Sequence, residues 1–142
     1  MKAWCKNCSQ CHDHGLLVLR LAVGYFMVVN HGWDKLMGGP ERWAGLGEFG
    51  MQHLVITFGF AFWGFMAAYS ESIAAICIGL GLGTRLHSFL LMLTMLVAAN
   101  MHITTGKGSP ESALIYAFAS LSLALTGGGK FSIDHYICNR KK

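Results

Sequence analysis

Leu16-Leu17-Val18-Leu19-Arg20-Leu21-Ala22-Val23-Gly24-Tyr25-Phe26-Met27-Val28-Val29 is an apolar run broken by one arginine. Three further runs follow: Phe58–Ala68 continuing through Ile73–Leu82, then Leu86–Ala99, then Ala113–Leu125. Set in or against them are Arg20, His31, Glu71, Arg85, His87, His102 and Glu111. A charge at the bilayer centre costs about 2.5 kcal/mol or more, so such residues face a bundle interior, pair with one another and mark function. The pattern predicts an all-α fold, an integral membrane four-helix antiparallel bundle with a polar interior.

Composition agrees. Hydrophobic residues make up 54% of the chain and charged residues 13%, roughly half the charged share of a soluble domain. Four spans of about 20 residues each leave only loops and tails among the 142 residues, so no soluble domain fits beside them. The net charge of +4 is a topology signal rather than a nucleic-acid signal, because no basic run is interleaved with exposed aromatics. With four spans both termini share a side. That side holds eight of the basic residues (Lys2, Lys6, Arg20, Arg85, Lys130, Arg140, Lys141 and Lys142), and Lys35, Arg42 and Lys107 fall opposite. The positive-inside rule then predicts both termini in the cytoplasm. No small-x-small cleavage site follows the first run, so it reads as an uncleaved span.

Three segments result: a Cys/His-rich cytoplasmic leader over 1–14, a membrane domain over 15–135, and a basic cytoplasmic tail over 136–142. Span one is predicted from about Gly15 to Leu36, stopped by Gly38-Gly39-Pro40. Residues 41–52 read as an outer interfacial segment, since Trp43 favours the headgroup level. His53–Leu82 would be about 45 Å of helix, too long for one upright span. Either its start lies along the interface or it breaks near Ser70-Glu71-Ser72; the preferred span is Phe60–Leu82. Span three is predicted from about Arg85 to Ile103. Ser109-Pro110-Glu111 reads as a helix start, with a capping serine, a first-turn proline and an acid at the positive dipole end. Gly127-Gly128-Gly129 ends span four.

The stretch Leu16–Gly24 with Asn30-His31-Gly32-Trp33-Asp34-Lys35-Leu36 resembles the first helix of the DoxX family. Glu71, the glycines at 79, 81 and 83, and Thr84-Arg85 resemble its second-helix acid and Thr-Arg turn. His102, Gly106, Glu111 and Gly127-Gly128-Gly129-Lys130-Phe131-Ser132-Ile133-Asp134 complete the likeness over about 15–135. The resemblance implies a multi-pass protein of a bacterial or archaeal cytoplasmic (inner) membrane. It also implies redox work, since one branch is the membrane subunit of a thiosulfate:quinone oxidoreductase and others are tied to sulfur or oxidative-stress enzymes. The expected partners are the lipid bilayer, a soluble redox enzyme and further copies of the chain, with no nucleic acid.

On the outer side the topology predicts a polar cluster of Asn30, His31, Lys35, Asn100, His102 and Glu111. His31 and Lys35 are four apart on one helix face. Such a cluster suits a quinone head group, whose carbonyls want His or Lys donors; a metal is the other option, and haem between His31 and His102 is disfavoured. The competing reading is interfacial: these side chains sit near helix ends and reach headgroups and water. Glu71 lies about 16 Å from the inner boundary, as a proton relay or as a hydrogen bond between helices worth about 1 kcal/mol. Arg20 is placed to reach toward it. Arg85 is expected to meet lipid phosphates or Asp134, and Arg20, Arg85 and Asp134 together read as structural charge.

In the leader, Cys5, Cys8 and Cys11 are spaced C-x2-C-x2-C with His12 following. Cys8-Ser9-Gln10-Cys11-His12 is formally a haem c attachment string, disfavoured by a cytoplasmic leader. A zinc or iron–sulfur site with Cys138 as a further ligand is the alternative, against a plain reduced leader. Three functions compete: a quinone-linked subunit of an oxidoreductase, a proton-coupled transporter titrating Glu71, and a non-catalytic assembly subunit.

Overall fold

The computed structural model describes residues 8–140, and Cys5 and the side chain of Cys8 lie outside the described part. Among the described residues every regular element is helical. Helix α1 spans Cys8–Met27 and runs through a π-helical segment, Val28–Gly32, into α2, Trp33–Met37. Helix α3 is Gly39–Met51, followed by a 3-10 turn at Gln52–Leu54. Helix α4, Phe60–Tyr69, runs through a second π-helical segment, Ser70–Ala74, into α5, Ala75–Leu80. Helices α6, Thr84–Thr105, α7, Glu111–Thr126, and α8, Ile133–Arg140, complete the chain.

Three helical stretches are long and apolar enough to cross a membrane: Gln10–Met37, Phe60–Leu80 and Thr84–Thr105. Helix α7 is apolar but shorter, at 16 residues. The expected punctuation is found. The first stretch ends at Gly38, α4 begins at Phe60 after a left-handed Gly59, and the Ser109 hydroxyl accepts the Glu111 amide at 3.2 Å.

Residues 41–52, read as an outer interfacial segment, fall in helix α3 and the turn after it, and α3 packs along α4. A Cβ at Gly47 would overlap the Phe60 carbonyl, and one at Gly64 the Trp43 carbonyl, so small residues let the two backbones touch. The second stretch is helical over Phe60–Leu80, as the preferred span has it, and passes Ser70-Glu71-Ser72 as a π segment rather than breaking there. The chain is helical again over Ile133–Arg140, and α1 already begins inside the leader at Cys8.

One end of the bundle is tied together by hydrogen bonds. The Asp13 carboxylate accepts the Lys130 amide at 3.0 Å, Arg20 Nη2 donates to Phe131 O at 2.9 Å, and the Asp134 amide donates to Gly81 O at 2.9 Å. The start of α1, the α5–α6 turn and the α7–α8 turn therefore share that end. Between the helices Leu16, Val23, Met27, Ala75, Ile78, Leu91, Met95, Ala117 and Leu123 form one apolar core. Most other large apolar side chains, such as Val18, Phe62, Leu93 and Phe118, point outward, the arrangement of a bundle whose solvent is hydrocarbon.

The two π segments meet. A Cβ added at Gly32 would overlap the backbone carbonyl of Glu71. Gly32→Ala should therefore destabilise the protein by about 1–3 kcal/mol through overpacking. Gly45→Ala has open space around it and should stabilise α3 by up to about 1 kcal/mol through helix propensity. Thermal unfolding of the two variants in detergent checks the contrast; equal effects would contradict the close crossing.

Candidate functional site

Glu71 sits in the second π segment with 2% of its surface exposed. Its Oε2 accepts a hydrogen bond from Lys35 Nζ at 2.5 Å, the ion pair found among the described residues. The two side chains differ in access: Glu71 is 3% exposed and Lys35 27%. The pair therefore has a buried acidic end and a basic end that reaches the surface.

Each residue is placed by its element. Helix α2 continues α1 beyond the first π segment, so Lys35 lies just past the crossing. Trp43 Nε1 donates to the Lys35 carbonyl at 2.9 Å and ties the backbone there to α3. On the other side, Ser70 and Ser72 do not serve Glu71. Their hydroxyls donate back to Met66 O at 2.8 Å and Ala68 O at 2.5 Å. These bonds satisfy carbonyls that a π segment leaves with altered partners, and such segments concentrate at functional sites.

The six residues expected to form an outer cluster are not joined by polar contacts among the described residues. Lys35 turns inward to Glu71. His31 is exposed on the first π segment, with its ring 6.1 Å from that of Tyr116 in an edge-on arrangement. His102 Nδ1 donates to Lys107 O at 2.6 Å and closes the loop after α6. Asn30 and Glu111 are exposed, and Asn100 is half-buried.

Arg20 does not reach Glu71. It is fully buried, but it turns to the other end and donates to Phe131 O at 2.9 Å and Gly79 O at 3.4 Å. Arg85 does not hold Asp134 either. The Asp134 carboxylate accepts the Gly83 amide at 2.7 Å and both the amide and hydroxyl of Thr84 at 2.8 Å, and so caps α6 from another helix. Burial pushes this carboxyl up. The bonds from the Thr84 amide, the Gly83 amide and the Thr84 hydroxyl, with the charge of His87, outweigh it and hold Asp134 below the usual carboxylate range.

Sequence reasoning passed over Tyr69, and met Trp43 only as a headgroup-level residue and Thr84 only in the Thr-Arg turn. The Tyr69 hydroxyl lies 3.3 Å from His87 Nε2, while His87 Nδ1 faces Leu82 O and Gly83 O. With carbonyl oxygens as its neighbours, Nδ1 is a donor, and Nε2 faces the Tyr69 hydroxyl. For the metal reading, Cys5 and the side chain of Cys8 lie outside the described residues, and His12 is exposed. Cys11 and Cys138 are exposed free thiols, and no group of three metal-ligating side chains gathers among the described residues.

A depressed Asp134 contributes stability above the ordinary carboxyl pKa, and that stability is lost as pH falls through the lower folded value. Asp134→Asn should therefore be less stable than the parent at neutral pH. The gap should narrow as pH falls below about 4. Unfolding midpoints measured from pH 7 to pH 3 test this; a pH-independent gap would contradict it.

The DoxX family model matches residues 15–104, which include both members of the Lys35–Glu71 pair. No curated protein and no solved structure matches the chain.

Proposed function

The chain belongs to the DoxX family, and from that premise we propose that it is a membrane subunit of a redox system. In this reading it handles a quinone, with Lys35 and Glu71 as its proton-handling pair. One observation carries the reading: a buried carboxylate is paired to a partly accessible ammonium where two π segments cross. Intramembrane carboxylates are expensive, and π segments gather at functional sites.

The residues fit a quinone head group. The Lys35 ammonium has three donors and uses one on Glu71. Its accessible side leaves donors for a carbonyl oxygen. His31, exposed on the adjoining π segment, supplies a further donor close in sequence. A bound quinone supplies two-electron chemistry, and its reduction takes up two protons. The chain's part is to present Lys35 to the carbonyl, to hold a proton at the Lys35–Glu71 pair, and to keep bulk water from the carboxylate. Because Glu71 bonds Lys35 among the described residues, protons exchanged with Glu71 pass by way of Lys35.

The rest of the reading follows from charge and family. Helix α7 completes four antiparallel spans, both termini are cytoplasmic, and the membrane is a bacterial or archaeal inner membrane. A soluble sulfur or oxidative-stress enzyme is the electron partner. The cysteine leader holds zinc or an iron–sulfur cluster, which metal analysis of the purified protein tests. The depth of Glu71 also favours a second reading, a proton-coupled carrier with Glu71 as titrating group. Substrate flux into liposomes without any quinone would single that out.

Glu71→Gln keeps an acceptor for Lys35 but cannot titrate. The variant should insert and fold, and quinone-linked turnover in nanodiscs should fall about 100-fold or more, the range of a lost acid–base group. Parent-level turnover would reject the relay and leave Glu71 as a link between helices.

A further inference from the structure

At the tied end of the bundle, away from the Lys35–Glu71 pair, an open cleft of about 800 Å³ lies between the start of α6, the Gly127–Gly129 turn and α8. Arg85, Lys130 and His135 line it, together with the apolar Leu86 and Ile137. The carboxylates at its wall are already engaged. Asp13 accepts the Lys130 amide, and Asp134 accepts three donors from Gly83 and Thr84. The cations are not. Among the described residues the side chains of Arg85 and Lys130 donate to no acceptor, and the carboxylate ion pair present involves Lys35 alone. His135 Nε2 meets the Asn139 amide at 2.7 Å, which leaves Nδ1 as a free donor.

The backbone leaves room for Arg85. Gly127 has φ +81°, and a Cβ there would stand 3.3 Å from Arg85 Nε and 3.9 Å from its Nη2. The Arg85 side chain thus runs close beside a bare turn. Its planar fork suits a phosphate, and a flexible lysine nearby adds a point charge. Leu86 and Ile137 are both exposed beside the cations, so the cleft is charged on one side and apolar on the other. A free phosphate has no use for the apolar side; an amphiphile has.

We propose that this cleft binds the phosphate of an anionic phospholipid, with Arg85 and Lys130 as its main ligands and His135 as a third donor. The headgroup sits over the Gly127 turn, and an acyl chain runs along Leu86 and Ile137. The site is independent of the quinone reading and of which face of the membrane this end occupies. A bound lipid would clamp α6, the α7–α8 turn and α8, the elements that already share the Asp134 and Arg20 contacts.

Purified full-length protein in nanodiscs tests this. Lipid retention is read by native mass spectrometry and stability by thermal unfolding, with phosphatidylglycerol compared against phosphatidylcholine. Phosphatidylglycerol should be retained and should raise the unfolding midpoint by several degrees relative to phosphatidylcholine. Arg85→Gln with Lys130→Gln should weaken retention at least tenfold. Arg85→Lys should retain part of it, and Lys107→Gln, a cation lost from the loop after α6, should change nothing. Equal retention of the two lipids, or an unchanged double variant, would overturn the site. Stabilisation by inorganic phosphate equal to that by phosphatidylglycerol would overturn the lipid as its occupant, as would binding of an acidic soluble protein that Arg85→Gln abolishes while lipid retention stays level.

Discussion

The bundle is organised around a carboxylate that cannot face lipid. Glu71 lies in the middle of the second apolar stretch, where an unpaired charge is costly. Lys35 meets it from the first stretch, across 36 positions of sequence. The backbones must approach closely for this bond to form, and Gly32 permits that by offering no Cβ against the Glu71 carbonyl. Both stretches widen into π segments at the crossing. A π turn changes the helical register, so it re-aims the residues that follow it. The ion pair, the bare glycine and the two π turns are therefore one arrangement rather than three features.

The rest of the structure supports that crossing from its two sides. Trp43 pins the Lys35 carbonyl, and α3 is held on α4 by the mutual approach of Gly47 and Gly64. At the tied end, Arg20 is wholly buried, and its two terminal nitrogens donate to the backbone carbonyls of Gly79 and Phe131. Asp134 caps α6 there from α8. These two charges lock the helix ends, away from the Lys35–Glu71 pair. The separation is spatial: one set of charges bonds backbone at the tied end, and the other forms an ion pair near the crossing.

The helical architecture was legible because it rests on local signals. Long apolar runs, the breaker at Gly38-Gly39-Pro40, the serine before Glu111 and the Gly127–Gly129 stop all act within a few residues. The site was legible only in part. Glu71 announced itself by cost, and Lys35 and His31 by their place on one helix face. Their pairing was not readable, because it depends on π turns, and hydrophobic periodicity does not register one inserted residue. Arg20 was aimed at Glu71 by depth alone, whereas its carbonyl partners lie 59 and 111 residues away, in α5 and in the α7–α8 turn. Asp134 was one of two partners expected for Arg85, beside lipid phosphates, but backbone amides at a helix start compete for a carboxylate as well as a guanidinium does. The packing of α3 had a signal that went unused: Gly47 and Gly50, three apart and both buried, mark one face of the short helix for close approach.

The most direct test of this account is a double-mutant cycle on Lys35 and Glu71. Lys35→Met, Glu71→Gln and the combined variant are compared with the parent by unfolding in one detergent. The account predicts that Lys35→Met is strongly destabilising, because it strands a buried carboxylate. The combined variant should recover much of that loss, with a coupling of about 1–3 kcal/mol. Additive effects, with a coupling near zero, would contradict the claim that this ion pair joins the two π segments.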